Sequence, residues 1–131
     1  DGTNLYVADK DNDLIRQIVI STKAVTTLAG GGSGDATDGT GTTATFDSPT
    51  GITTDGTNLY VADHDNHLIR QIVISTKAVT TLAGTGTGGN TNGAGSGAGS
   101  VARFKNPAGI TTDGIDLYVI EKGNRRLRKI D

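Results

Sequence analysis

An internal repeat constrains this sequence more than any other feature. Residues 1–30 recur at 55–84 with only two substitutions, and a third, more diverged copy begins at Asp113. Ahead of the two later copies, residues 44–54 (ATFDSPTGITT) align with residues 102–112 (ARFKNPAGITT). A repeat of about fifty residues predicts one supersecondary unit that is used several times, each unit burying apolar surface against its neighbour.

The composition favours short strands over helices or a single thick core. Hydrophobic residues make up 34% of the 131 residues and aromatic residues 4%, so burial has to be spread thinly. Twenty glycines and abundant threonine are typical of strands joined by turns. The absence of cysteine excludes disulfides and thiolate metal sites. No apolar run reaches the ~20 residues that a membrane helix requires.

The apolar pattern within one unit predicts four short strands. They are GITT (51–54), NLYVAD (58–63), LIRQIVI (68–74) and AVTTLAG (78–84). Successive residues of the second strand point to opposite sides, yet both sides are apolar, which is typical of a strand packed between two layers. The intervening segments HDNH and STKA fit hairpin turns. Each unit is therefore predicted to be a four-stranded antiparallel meander.

A meander that is buried on both faces and repeated in this way is typical of a β-propeller blade. The stretch GITTDGTNLYVADHDNHLIRQI resembles the NHL repeat, whose name is spelled by residues 66–68. The connection GDATDGTGTTATFDSPTGI is similar to those of longer-period bacterial NHL arrays. The predicted fold class is all-β, with blades that form an incomplete propeller of about two and a half blades.

The repeat divides the chain into five segments. A partial NHL blade with strands 2 to 4 covers 1–30, a complete blade covers 51–84, and a partial blade with strands 1 to 3 covers 109–131. Gly-rich inter-blade connections cover 31–50 and 85–108, and the second is four residues longer than the first.

A carboxylate and an arginine flank the central hairpin turn in every copy. If residues 64–67 form the turn, Asp63 pairs with Leu68 and lies diagonal to Arg70 on the same face. We therefore predict three structural salt bridges: Asp9 with Arg16, Asp63 with Arg70, and Glu121 with Arg128. Each turn also holds an asparagine, whose amide can bond its own backbone and tolerate left-handed torsions. These asparagines are Asn12, Asn66 and Asn124.

The two substitutions between the first copies both fall on this turn, and they supply the only histidines of the chain. Lys10 is replaced by His64, and Asp13 by His67. Two imidazoles flanking a turn could coordinate zinc or nickel together with a neighbouring carboxylate. Metal sites usually need three or four positioned ligands, however, and the near-identical first copy has Lys and Asp here. We therefore expect a solvated hairpin and no metal.

If the propeller binds a ligand, the variable turns at this rim are the expected place. The candidate rim residues are Lys10, Asp13, His64, His67, Lys122 and Arg125. A cationic cluster in the third copy also includes Arg126, Arg128 and Lys129, but the neighbouring turns are acidic and lack aromatics for base stacking. With a net charge of −2, neither nucleic acid nor a membrane is an expected partner.

The Gly-rich connections invite two further readings. Residues 35–41 (DATDGTG) have carboxylates separated by small residues, as calcium loops do, but lack the spacing of an EF-hand. Residues 84–100 are glycine-rich like a phosphate cradle, yet no Gly-Lys-Ser/Thr follows and no helix is available. We expect a flexible linker there. Phe46 and Phe104 are expected to pin the ends of the two connections onto their blades.

The resemblance does not imply enzymatic activity. Proteins with similar repeats include a copper- and zinc-using lyase of amidated peptides and extracellular sensor domains of bacterial kinases. No catalytic His, Tyr or Arg set of that lyase matches here, and no nucleophile–base pair suggests itself elsewhere. We expect no enzyme and no cofactor, with a metal-dependent lyase as an alternative. An extracellular or periplasmic location is favoured.

Three, four and three strands cannot close a propeller, which needs at least about four blades. Unpaired edges and apolar faces would then require a cover. The candidates are missing repeats of the same polypeptide, or other copies of the chain in a ring or an open fibre. We expect a piece of a longer NHL propeller that acts as an interaction scaffold for a protein or carbohydrate ligand. The alternative is a structural subunit of an extracellular homo-oligomeric or fibrous assembly.

Overall fold

Short β-strands form almost all the regular structure in the computed structural model, which describes residues 1–93 and 101–131. In chain order they are β1 (Asn4–Asp9), β2 (Leu14–Val19), β3 (Val25–Ala29), β4 (Gly39–Thr40), β5 (Pro49–Thr54), β6 (Asn58–Asp63), β7 (Leu68–Val73), β8 (Ala78–Ala83), β9 (Pro107–Thr112), β10 (Leu117–Glu121) and β11 (Arg126–Ile130). Two short 3₁₀ turns, η1 (Lys10–Asn12) and η2 (Gly41–Thr43), complete the elements of these two ranges. The predicted all-β class is confirmed.

The strands form three antiparallel sheets, one for each copy of the repeat. Blade 1 has the order β1-β2-β3, blade 2 the order β4-β8-β7-β6-β5, and blade 3 the order β11-β10-β9. In blade 2, Asp63 lies opposite Leu68 across the central hairpin, which is the register that the sequence predicts. Strands β5 and β9 begin at prolines, two residues before the predicted starts.

Blade 2 is buried on both faces, as a propeller blade must be. Leu59 and Val61 point into a core shared with blade 1, where they meet Ile15 of β2. Ala62 and Ile69 point into a second core shared with blade 3. Phe46 and Phe104 lie in these two cores, so each connection ends in an apolar anchor, as predicted. We call the interfaces between blades 1 and 2 and between blades 2 and 3 the first seam and the second seam.

One strand of blade 2 comes from a connection. Gly39 and Thr40 form β4, which pairs with Val79 and Ala78 at the outer edge of β8. The sequence pattern did not indicate this strand, because two residues without apolar side chains carry no periodicity. β4 covers the outer edge of blade 2, where unpaired backbone groups would otherwise face solvent.

The left-handed residue of the central turn is not the asparagine that the sequence suggested. Asp13, His67 and Arg125, each one position later, have φ angles of 56°, 57° and 53°. Asp and His are among the residues that adopt this region more readily than most. Each asparagine amide instead donates a hydrogen bond to the carboxylate at the end of the preceding strand.

The first strands of blades 2 and 3 pack closely side by side. The hydroxyl of Thr50 in β5 donates a hydrogen bond to the carbonyl of Ala108 in β9 at 3.0 Å. A Cβ on Gly51 would collide with that same carbonyl oxygen, whereas a Cβ on Gly109 would make only ordinary contact with the side chain of Ile120, at 3.6 Å. Glycine at position 51 is therefore required by backbone packing.

This difference predicts unequal effects of the same substitution at equivalent positions. Gly51→Ala should lower the free energy of unfolding by about 1–3 kcal/mol, because β5 and β9 must separate to admit the methyl group. Gly109→Ala, the matched control, should change it by less than about 0.5 kcal/mol. Urea unfolding followed by circular dichroism measures both, and equal effects would contradict the packing described here.

Candidate functional site

A buried ion pair lies beneath the rim of blade 2. The carboxylate of Asp63 at the end of β6 accepts a hydrogen bond from Nη1 of Arg70 at 3.0 Å, and both side chains are fully buried. Arg70 also donates to the carbonyls of Thr45 and Thr37, both at 3.0 Å, and its guanidinium lies 5.2 Å from the ring centre of Phe46. The guanidinium thus joins the hairpin of blade 2 to the connection that precedes it.

Blade 3 repeats this arrangement with different side chains. Arg128 donates to Glu121 at 2.9 Å and to the carbonyls of Arg103 and Thr91 at 3.2 and 3.1 Å. Its guanidinium lies 5.1 Å from the ring centre of Phe104. The two connections differ in length and sequence, yet both place two carbonyl oxygens and one phenyl ring against the arginine of the following blade.

The ion pair of blade 1 is more exposed than those of blades 2 and 3. Nη1 of Arg16 lies 3.4 Å from Oδ2 of Asp9, and the two side chains are 30% and 27% exposed. Among the described residues, no connection carbonyl accepts a hydrogen bond from Arg16. All three predicted ion pairs are therefore present, but only those of blades 2 and 3 are enclosed.

The buried carboxylate depends on the donors around it. Burial raises the pKa of Asp63 to about 6, while the backbone N–H of Asp47, the amide of Asn66 and the guanidinium of Arg70 act in the opposite direction. Asp47 donates to Oδ1 at 2.8 Å, and Asn66 donates to Oδ2 at 3.0 Å. Asn66 also donates to the carbonyl of Asp35 at 2.8 Å, so the turn asparagine links the carboxylate to the connection.

The expectation of a flexible linker is wrong for the described part of the second connection. Gly89 donates to the carbonyl of Phe104 and accepts from Asn124, and Thr91 accepts from both Arg103 and Arg128. The remainder of that glycine-rich segment, 94–100, lies outside the described residues. Sequence reasoning missed this docking because backbone carbonyls accept the bonds, and carbonyls leave no side-chain signature.

The first connection is docked in the same way, and its carboxylates do not converge. Asp38 accepts a hydrogen bond from Arg70 at 2.8 Å and one from the hydroxyl of Thr81 at 3.2 Å. Asp35 accepts from the neighbouring N–H of Ala36. Within residues 1–93 and 101–131, no group of three or more His, Cys, Asp or Glu side chains is arranged to hold a metal ion.

Two of the six candidate rim residues accept hydrogen bonds from the following blade across the seams. Oδ1 of Asp13 accepts the backbone N–H of Ser48 at 2.8 Å across the first seam. Nδ1 of His67 accepts the N–H of Asn106 at 3.2 Å across the second. Both residues are the last of their turn, and each acts as the acceptor for the following blade.

The other candidates lie around these contacts, closer to solvent. His64 and Lys122 line a surface cavity of about 310 Å³ together with Asn106 and Gly123. Nδ1 of His64 is 2.8 Å from Oδ1 of Asp65, and the amide of Asn106 donates to that same oxygen at 3.2 Å. Two candidates on different blades thus meet at the second seam.

Lys10 and Arg125 complete the set at other places. Lys10 is exposed at the first seam. There the hydrogen bond from the Ser48 hydroxyl, then His64 and then the charge of Lys10 lower the pKa of Asp65. Arg125 is exposed on the turn of blade 3, at the position that Asp13 and His67 hold in the other blades. The rim residues therefore divide between two seams and one free turn, and they do not form a single cluster.

A second recurring carboxylate lies at the opposite rim. Asp55 accepts the N–H groups of Thr57 and Asn58 at 2.8 and 2.6 Å and the hydroxyl of Tyr60 at 2.8 Å. Burial alone would raise the pKa of Asp55, but these bonds lower it to about 2. Asp1 and Asp113 accept the equivalent bonds in their own copies, so this rim is occupied by satisfied turns.

Known proteins match this chain in sequence and in fold. No family model matches it. The bovine protein NHL repeat-containing protein 2 is 35% identical over 139 residues, which cover 97% of this chain. The chain belongs to the NHL-repeat family. The resemblance expected from the sequence is confirmed. This NHL chain covers only 19% of its bovine relative.

Solved structures from Bacteroides thetaiotaomicron support the fold. A protein of unknown function superposes with a TM-score of 0.84 and 24% identity over 98% of this chain and 32% of its own. An auxiliary nutrient binding protein superposes with a TM-score of 0.75 and 26% identity over 99% of this chain and 35% of its own. Among the described residues of the NHL chain, no helix is long and apolar enough to cross a membrane.

The enclosure of Arg70 predicts a larger effect of its removal than of removing Arg16. Arg70→Met should lower the free energy of unfolding by about 3–5 kcal/mol, because it leaves the buried carboxylate of Asp63 without its counter-ion. Arg16→Met, the matched control in the near-identical copy, should cost at most about 1 kcal/mol. Urea unfolding followed by circular dichroism measures both, and similar losses would contradict an energetic role for the docked connection.

Proposed function

We propose that this NHL chain is a non-enzymatic interaction scaffold that presents variable turn residues from a constant, buried framework. The observation that carries the proposal is the division of roles within the central turn. The carboxylate, asparagine and arginine of blades 2 and 3 are used in holding the connection, whereas the positions that differ between copies lie at the seams or in solvent. Surface positions can change without loss of the fold.

Neighbouring seams offer different groups to a ligand. The second seam presents His64, Asn106 and Lys122 around the cavity of about 310 Å³. The equivalent positions of the first seam are Lys10, Ser48 and His64. An ammonium group, an imidazole and an amide are suited to hydrogen-bonding a polar ligand such as a carbohydrate or a peptide. The auxiliary nutrient binding protein that shares the fold supports a binding role, and an extracytoplasmic location is part of the proposal.

The rim can be tested by titrating the ¹⁵N-labelled chain with a panel of sugars, sugar acids and short peptides. Binding at the second seam should shift the amide signals of His64, Asn106 and Lys122. Lys122→Gln should weaken the binding about tenfold, since a charged hydrogen-bond donor is lost. Lys77→Gln, which removes a lysine from the opposite rim, should have no effect. Shifts confined to the opposite rim, or unchanged affinity in Lys122→Gln, would contradict the proposal.

Two open blade faces support the idea that further NHL blades complete the scaffold. Leu5 is 55% exposed on blade 1, whereas the equivalent Leu59 of blade 2 is fully buried by blade 1. On blade 3, Ile120 and Leu127 are exposed at positions where blade 2 buries Ala62 and Ile69. Burying a Leu or Ile side chain contributes about 1.5–3 kcal/mol, so these faces favour a blade-like cover. That cover is either another repeat of the same polypeptide or a second copy of the chain.

Of these two covers, a second copy of the chain can be tested directly. Light scattering coupled to size exclusion should show oligomers whose mass grows with concentration, and Leu5→Asp should abolish them by placing a charge on the open face. Thr80→Asp, on the exposed side of β8, should leave them unchanged. An indefinite size distribution would favour the fibrous alternative over a ring. A chain that stays monomeric and unfolds cooperatively, with both faces in water, would contradict the need for a cover.

A further inference from the structure

The two seams are fastened at the same point by chemically different acceptors. Ser48 and Asn106 occupy equivalent positions, each directly before the proline that begins β5 or β9, and their φ angles are 53° and 50°. The N–H of Ser48 is bound by a carboxylate oxygen of Asp13, and that of Asn106 by an imidazole nitrogen of His67. The substitution of Asp by His thus changes the acceptor and leaves the bond in place.

The two acceptors respond differently to acid. Carboxyl groups ordinarily titrate near pH 4, so a carboxylate remains an acceptor throughout mildly acidic conditions. Imidazole ordinarily changes its charge between about pH 5 and 8, and in its protonated form both ring nitrogens are donors. Protonation of His67 would therefore place an N–H at Nδ1, facing the N–H of Asn106. The bond across the second seam exists only while His67 is neutral.

Charged and titratable groups lie near His67 on its own turn and on blade 3. On its own turn are His64 and the carboxylate of Asp65, which the side chain of Asn106 contacts. From blade 3 come the cations Lys105, next to Asn106, and Lys122, which lines the cavity with His64.

The ring of His67 also packs on the second connection. A Cβ on Gly88 would lie 3.1 Å from Nε2 of His67, so the ring lies close to the backbone of this connection. Residues 85–93 of that connection have no charged side chain, whereas its second described part, 101–108, contains Arg103 and Lys105. In this position a protonated ring would face the N–H of Asn106 without being able to accept its hydrogen bond.

We propose that His67 makes the second seam loosen on mild acidification, whereas Asp13 keeps the first seam insensitive over the same range. The direction of the pH effect follows from the form of His67 that accepts the bond. The neutral imidazole accepts it, so the stabilisation of the second seam is complete at high pH and is lost as the pH falls. The inference concerns the joint between the blades and does not depend on whether the rim binds a ligand.

Amide exchange measured by NMR on the full chain tests this without any substitution. Between pH 7.5 and 5.0, after correction for the intrinsic pH dependence of exchange, protection of the Asn106 amide should fall by about five- to tenfold, the equilibrium equivalent of one hydrogen bond. Protection of the Ser48 amide should stay constant. Parallel behaviour of the two amides, or an Asn106 amide unprotected at pH 7.5, would overturn the proposal.

Reciprocal substitutions separate an effect of His67 on the second seam from a general effect of acid. His67→Asp gives the second seam the acceptor of the first, and it should remove the pH dependence at Asn106. Asp13→His should create that dependence at Ser48. His64→Lys, which installs the residue of the first copy at the other histidine, should leave the Asn106 response in place. Persistence of the response in His67→Asp, or its loss in His64→Lys, would overturn the assignment to His67.

Discussion

The enclosed guanidinium of Arg70 is the interaction on which the rest of the structure depends. A buried charge is costly unless it is paired and hydrogen-bonded. Nη1 and Nη2 of Arg70 find their partners only by using two separate parts of the chain, while Nε has no hydrogen-bond partner among the described residues. Asp63 belongs to the hairpin of blade 2, while Thr37, Asp38 and Thr45 belong to the connection. The blade and its connection are therefore stabilised as one unit.

This dependence explains how a sparse composition yields an ordered propeller segment. Each connection adds a phenyl ring and an alanine to the seam, so the two apolar cores are filled by three blades and two loops together. In the near-identical first copy, Arg16 is 30% exposed, and no connection carbonyl among the described residues accepts a hydrogen bond from it. The enclosure is thus a property of the connection and the blade, and the hairpin alone does not produce it.

The strands and the ion pairs could be predicted because both depend on the type and spacing of side chains, which the sequence gives directly. The repeat located the strands, and the pairing of Asp63 with Leu68 placed Arg70 within reach of the carboxylate. The docked loops could not be predicted in the same way, because Thr37 and Thr91 take part through their carbonyls. One signal was available in the sequence. Thr91 follows the repeat of blade 2 at the same distance as Thr37 follows the repeat of blade 1, so the four extra residues of the second connection fall after Thr91.

The variable residues of the central turns could be found in the sequence, but their contacts could not. The differences at Asp13 and His67 were visible in the sequence, yet their partners, Ser48 and Asn106, lie in the following blade and required the fold to be known. The cavity residues His64 and Lys122 likewise come from different blades. A propeller seam brings together residues that are distant in sequence, and pattern reasoning within one repeat cannot show those pairs.

Native-state hydrogen exchange tests the central claim most directly. The backbone N–H of Asp47, at the end of the first connection, donates to the buried carboxylate of Asp63. If the connection and the blade are stabilised as one unit, this amide and those of β6 and β7 should exchange with the same free energy of opening. Exchange of the Asp47 amide orders of magnitude faster than that of the strands would contradict the account.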